Sequence, residues 1–239
     1  MWDNVPLLRG IAAALFFFSV VAVLYGMVHY VVHLPQLLPI QSVRLSAAPE
    51  RVVAEDVLKV VRQEVQGNFF TVDIERLRLS LENISWVRKV SIRREFPDRL
   101  AVQFEEHQPL AHWNEAALVN QQGEVFVAET TQVLPVFTGY EGSSAEISQQ
   151  YQKFSQQLAG LNLQLTQLVL SPRHAWQLHL SNDMVVELGR ESMQQRLARF
   201  VTIYPYSLGV ASGTEAEQVK WVDMRYRNGF AVRMRQGNA

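Results

Sequence analysis

Trp86 to His107 reads WVRKVSIRREFPDRLAVQFEEH, and this stretch decides the fold class. Apolar and polar residues alternate through WVRKVSIRREF and again through LAVQFEEH from Leu100, the period of a strand with one buried face. Pro97-Asp98 between the two runs supplies turn chemistry, so the stretch reads as a hairpin. Upstream, AEDVLKVVRQEV (Ala54 to Val65) sets Val57, Val60, Val61 and Val65 at helical spacing, with Gly67 following as a stop. VDIERLRLSLEN adds a second helix with Ile74, Leu77 and Leu81 on one stripe, and IQSVRL (Ile40 to Leu45) alternates as a strand. The order strand, helix, helix, strand, strand is an α+β module with helices laid on a small sheet.

Before this module, Ile11 to Val32 reads IAAALFFFSVVAVLYGMVHYVV, with no Asp, Glu, Lys or Arg between Arg9 and Arg44. About 20 apolar residues at 1.5 Å rise match a bilayer core of about 30 Å. The run is longer than a signal-peptide core needs, and no A-x-A-like cleavage site follows it. It lacks the polar face of a buried soluble helix, which predicts an uncleaved single-pass anchor at 11–32. Pro35 and Pro39 in HLPQLLPI end it. Residues 1–10 form a short head, and the long trailing body predicts a signal-anchor that carries its C-terminal part across the membrane.

After Trp113 the pattern changes. ALVNQQGEVFVA (Ala117 to Ala128) reads as a hairpin around Gln122-Gly123, and VLPVFTG (Val133 to Gly139) as extended chain. A helix opens with Ser144 as N-cap and carries Ile147, Tyr151, Phe154 and Leu158. LQLTQLVLS, WQLHL and MVVEL alternate, with a turn at Asn182-Asp183, and ESMQQRLARFVTIYP is a helix stopped by Pro205. The whole is α+β: one N-terminal transmembrane helix, a β-α-α-β-β module at 40–110, then a mostly antiparallel β domain with two helices at 112–236.

Chemistry is harder to find. The formal net charge of -1 offers no basic face for nucleic acid. Cys 0 removes disulfides, thiolate nucleophiles and cysteine metal sites, while leaving the compartment open between cytosol and periplasm. His107 and His112 straddle Pro109 on strand pattern, which excludes the helical two-histidine zinc geometry. No G-x-S-x-G elbow or phosphate loop occurs, and Glu105 and Glu106 point to opposite faces of a strand. No catalytic constellation, cofactor or metal is expected.

The ending, WVDMRYRNGFAVRM (Trp221 to Met234), reads as a second hairpin. A three-residue loop Arg227-Asn228-Gly229 opposes Tyr226 to Phe230, Met224 to Val232 and Val222 to Met234, and puts all six on the core face. Tyr226 is then expected at the rim of that core while Arg225 reaches outward. The final strand, Phe230 to Gln236, has no later sequence to pair with and is an edge unless an earlier strand covers it. Either Arg233 and Arg235 guard that edge against aggregation, or it is a template for a partner's strand.

Taken together, the anchor, IQSVRLSAAPERVVAEDVLKVV, WVRKVSIRREFPDRLAVQFEEHQPLAHWN and VDMRYRNGFAV resemble the FtsQ/DivIB family of bacterial cell-division proteins. The resemblance implies a polypeptide-transport-associated (POTRA) module followed by a β domain, both periplasmic, behind an inner-membrane anchor and a short cytoplasmic head. It implies a non-catalytic scaffold that carries the FtsB and FtsL complex to the septum, with FtsB adding a strand to the terminal hairpin. Arg225 and Tyr226 match the family's contact pair, and Arg173 in PRHAWQL matches an arginine preceding a Trp-Gln-Leu strand. Asn228, Gly229 and Phe230 match flanking positions, and Val232 belongs to the same strand. Lys89, Ile92 and Arg94 fall in the strand tied to septal localisation. The POTRA module and transmembrane helix are expected to meet other membrane proteins of the divisome. The alternative implied by the module alone is a POTRA-type chaperone for envelope protein assembly.

Overall fold

A computed structural model describes residues 5–34, 37–46, 49–208 and 219–234. It divides into two compact units, Met1–Glu106 and His107–Ala239. Pro35, Arg235, Gln236 and residues 1–4 of the expected head lie outside the described residues.

The first unit begins with α1 (Val5–Val32), of which Arg9–Val32 is long and apolar enough to cross a membrane by length and composition. It continues with β1 (Ser42–Leu45), α2 (Ala54–Glu64), α3 (Ile74–Glu82), β2 (Val87–Glu95) and β3 (Arg99–Glu106). Gly67, just past α2, stands at φ +94, and a Cβ there would meet Thr71 Oγ1 at 2.6 Å; only glycine closes that turn. Asp73 caps α3 by accepting the Arg76 N–H at 3.0 Å. The sheet order is β1-β3-β2, with β1 parallel and β2 antiparallel to β3. Val57, Leu77 and Leu81 from the helices close over Val87, Val90, Leu100 and Val102. β-α-α-β-β is thus the order that the alternating stretch predicts.

The second unit carries β4 (Pro109–Trp113), β5 (Ala117–Asn120), β6 (Val125–Phe126), β7 (Val136–Thr138), α4 (Ser144–Leu158), β8 (Leu165–Leu170), β9 (Trp176–Leu180), β10 (Val185–Gly189), α5 (Met193–Ile203), β11 (Val219–Asp223) and β12 (Ala231–Met234). One nine-stranded sheet runs β12-β11-β10-β9-β8-β7-β4-β5-β6. Five of its pairings are antiparallel. The other three, β10 with β11, β4 with β7 and β7 with β8, are parallel. Parallel neighbours need a crossover: α4 joins β7 to β8, α5 lies between β10 and β11, and the β5–β6 pair lies between β4 and β7. The helices pack on β8 and β10 and on each other. Phe137, Ile147, Phe154, Leu168, Trp176, Leu178, Leu197 and Phe200 form the core between helices and sheet.

Two local expectations change. Ser144 is the first residue of α4, not its cap; its hydroxyl donates to the Gly123 carbonyl at 2.7 Å, and Ser143 takes the cap position. Pro205 does not stop α5, because the chain continues through it as a π-helical turn, Tyr204–Leu208, that buries Leu208.

Candidate functional site

β12 ends the sheet order, so among the described residues only β11 flanks it. Its register is Val222 to Val232, Asp223 to Ala231 and Trp221 to Arg233. Neither the expected three-residue loop nor an Asn-Gly turn gives that pairing. Strand pairing stops at Asp223 and resumes at Ala231, and residues 224–230 form a longer loop. The reason is Arg199 on α5, which was not singled out from the sequence. Its guanidinium donates to the carbonyls of Arg227 at 2.6 Å, Met224 at 2.9 Å and Tyr226 at 2.9 Å. Those carbonyls would otherwise bridge the hairpin. The Met224 N–H in turn donates to Glu187 O on β10 at 3.0 Å, so the chain leaves β11 still attached to β10.

The expected apolar face splits accordingly. Val222 and Met224 are fully buried and Phe230 packs against the core, but Tyr226 is 58% exposed, Val232 44% and Met234 45%. Tyr226 therefore stands off the core rather than at its rim. Arg225 is half exposed, as expected, but it is not free. Its Nε and Nη2 donate to the Asp223 carboxylate at 2.8 and 2.7 Å, a bidentate grip two residues away on the same strand parity. This grip, opposed by burial, holds the Asp223 carboxyl below its ordinary value and raises Arg225. Gly189 makes room: at φ +69, a Cβ there would sit 3.1 Å from Arg225 Cγ and 2.9 Å from Arg196 Nη1. The spacing of Asp223 and Arg225 was legible in VDMRY; the glycine beneath them was not. Arg233 lays its guanidinium over the Trp221 ring, 5.2 Å from the centroid.

Arg173 is exposed in the turn between β8 and β9. Trp176 opposes Gly189, β10 runs parallel to β11, and Asp223 opposes Ala231. The turn bearing Arg173 thus lies at the same end of the sheet as Arg225, Tyr226, Asn228, Gly229 and Phe230. Three strand spacings separate β9 from β12, about 14 Å at about 4.8 Å each. Val232 lies along the outer strand itself.

In the first unit, β2 is also an outer strand. Ile92 packs against the core, and Arg94 on the same parity donates to Val72 O at 3.0 Å. Lys89 is exposed opposite Glu105, on the other parity. The three residues therefore do not share one face. Among the described residues no three His, Asp or Glu side chains gather as metal ligands.

Comparison with known proteins gives the family. The model for "Cell division protein FtsQ/DivIB, C-terminal" matches residues 111–225, and that for "POTRA domain, FtsQ-type" matches residues 38–107. A cell division protein FtsQ of Nitrosospira multiformis is 40% identical over 238 residues, covering 98% of this chain and 99% of the relative. Those of Burkholderia pseudomallei and Bordetella pertussis are 35% and 34% identical, covering 98% and 97% of this chain and 94% and 92% of the relatives. The two matched segments follow the division into two units, and the relatives' likeness extends over nearly the whole chain: the chain belongs to the FtsQ/DivIB family of cell division proteins.

Proposed function

We propose that this protein is a non-catalytic, membrane-anchored scaffold of the divisome that brings the FtsB and FtsL complex to the septum by accepting a strand on β12. In this reading residues 1–10 are cytoplasmic, 11–32 span the inner membrane, and the POTRA module (40–110) and β domain (112–236) lie in the periplasm. The observation that carries it is the position of β12, outermost in a nine-stranded sheet with Val232 and Met234 well exposed. An added strand satisfies its outward N–H and C=O groups and covers those side chains. Tyr226 supplies an aromatic anchor beside the entry of β12, of the type enriched at interface hot spots. Arg173 and Arg225 add cations at that end of the sheet. Lys89, Ile92 and Arg94 on β2, with the transmembrane helix, are the proposed contacts to other division proteins.

Deleting residues 221–239 would remove Val222 and Met224 from the core, so point variants on exposed positions are the cleaner test. Tyr226→Ala and Val232→Glu are expected to fold normally yet lose capture of the FtsB and FtsL complex, and to fail to support its midcell recruitment in cells. Undiminished capture by both variants overturns strand addition at β12.

A further inference from the structure

The end of α1 is not simply followed by a linker; a second part of the chain clasps it. Asn68, fully buried, donates through Nδ2 to Val32 O at 2.6 Å, the last carbonyl of the helix, and to Leu34 O at 2.9 Å just beyond it, which also accepts the Leu37 N–H at 3.0 Å. Its Oδ1 accepts the N–H groups of Phe70 and Thr71, each at 2.9 Å, which fixes the turn that carries Phe69 and Phe70. The Phe69 N–H donates to Leu38 O at 3.0 Å. A third link ties in the β2–β3 turn: Gln41 N donates to Asp98 O at 2.9 Å, and the Phe69 and Phe96 rings meet edge to face at 6.1 Å.

Phe69 is buried at the centre of this knot, with Phe70 on one side at 5.5 Å. Phe70 is about half exposed and Phe96 is 77% exposed. Phe70 is therefore held through Asn68 to the carbonyls at the end of a membrane-length helix, and Phe96 stands beside it through its ring contact with Phe69. Aromatic side chains at that depth sit at the junction of headgroups and acyl chains, about 5–10 Å into the interface. With α1 across a bilayer, its interfacial layer would cover them without a protein partner.

We propose that the Phe70 and Phe96 tip of the POTRA module inserts into the interfacial layer of the membrane that α1 spans, giving the module a second foothold and a fixed height and tilt above the bilayer. This rests on the anchoring reading of α1. It is independent of what β12 binds.

The absence of native cysteine allows unique labelling. Full-length protein carrying a nitroxide at Phe70→Cys or Phe96→Cys is reconstituted into phosphatidylethanolamine–phosphatidylglycerol vesicles, beside three controls. Leu24→Cys lies within α1, and Leu58→Cys and Val133→Cys are exposed sites on α2 and in the β domain. Expected is severalfold lower collision with a water-soluble nickel relaxant, and higher collision with oxygen, at 70 and 96 than at 58 and 133. Nickel accessibility at 70 and 96 equal to that at 58 and 133, with 24 still shielded, overturns the insertion and leaves the anchor standing. Exposure of 24 to nickel would instead overturn the anchor, and the insertion with it.

Discussion

Arg225 grips Asp223, whose side chain is nearly buried while the arginine remains half exposed. Loss of partner capture on Arg225→Ala would therefore have two sources: a direct bond to the partner, or the release of a buried carboxylate that reshapes the start of the loop. A cycle within this chain separates them. If Arg225 acts by positioning, Arg225→Ala weakens capture about tenfold, about 1.4 kcal/mol, in the native background and has little effect on Asp223→Asn. An undiminished effect on Asp223→Asn identifies a direct contact. Acid gives the same pair a stability signature. The Asp223 carboxyl is held below its ordinary 3.8 by Arg225, so its contribution is present above that value and lost as pH falls through the lowered one. The difference in melting midpoint between native protein and Asp223→Asn should be full at neutral pH and shrink below about pH 4. A difference unchanged from pH 7 to pH 3 would show that the pair does not stabilise the fold.

At the scale of elements, the end of β11 and the start of β12 are separated by a seven-residue loop held open by one guanidinium. Arg199→Met keeps the aliphatic stem but removes three charge-assisted donors, and should cost about 1–3 kcal/mol in thermal or denaturant melts. Partner capture should fall further than stability does, because the released loop can tighten toward the shorter turn that its Asn-Gly favours and slide β12 out of register. Equal capture by Arg199→Met would separate loop geometry from binding. β12 itself has a parity. Residues alternate between bonding β11 and facing outward, so proline at successive positions 231 to 234 should alternate in effect. One parity weakens the fold by breaking the β11 ladder; the other keeps the melting point and loses capture. A uniform loss of capture without alternation would argue against an added strand.

For the whole molecule, two cores answer to different substitutions. Leu81→Ala empties space in the POTRA core and Phe154→Ala in the β-domain core, each expected to cost about 2–5 kcal/mol. Each should lower the melting signal of its own unit; a Phe154→Ala protein whose β domain melts unchanged would contradict the core assignment. The alternating runs, the helical stripes and the 22-residue apolar stretch were enough to name every element of the first unit in order, because each is set by neighbours within a few residues. The antiparallel pairings of β5 with β6 and of β9 with β10 also follow from the turns at Gln122-Gly123 and Asn182-Asp183. The parallel pairings of β7 with β8 and β10 with β11 were not legible, since an intervening helix leaves the direction of the next strand open. The terminal register failed for a related reason. Parity in VDMRYRNGFAV identifies which residues could share a face, but Arg199, some 25 residues upstream, captures the carbonyls that would have closed the tight turn. Local periodicity reports what a segment can bury; it carries no record of a donor brought in by a distant helix. The sequence by itself determined the apolar helix, the elements and the family likeness, whereas the outermost place of β12, the seat that Gly189 gives Arg225 and the Arg199 contacts that shape the loop were decided only when the sheet assembled, because each depends on groups that meet in space and not along the chain.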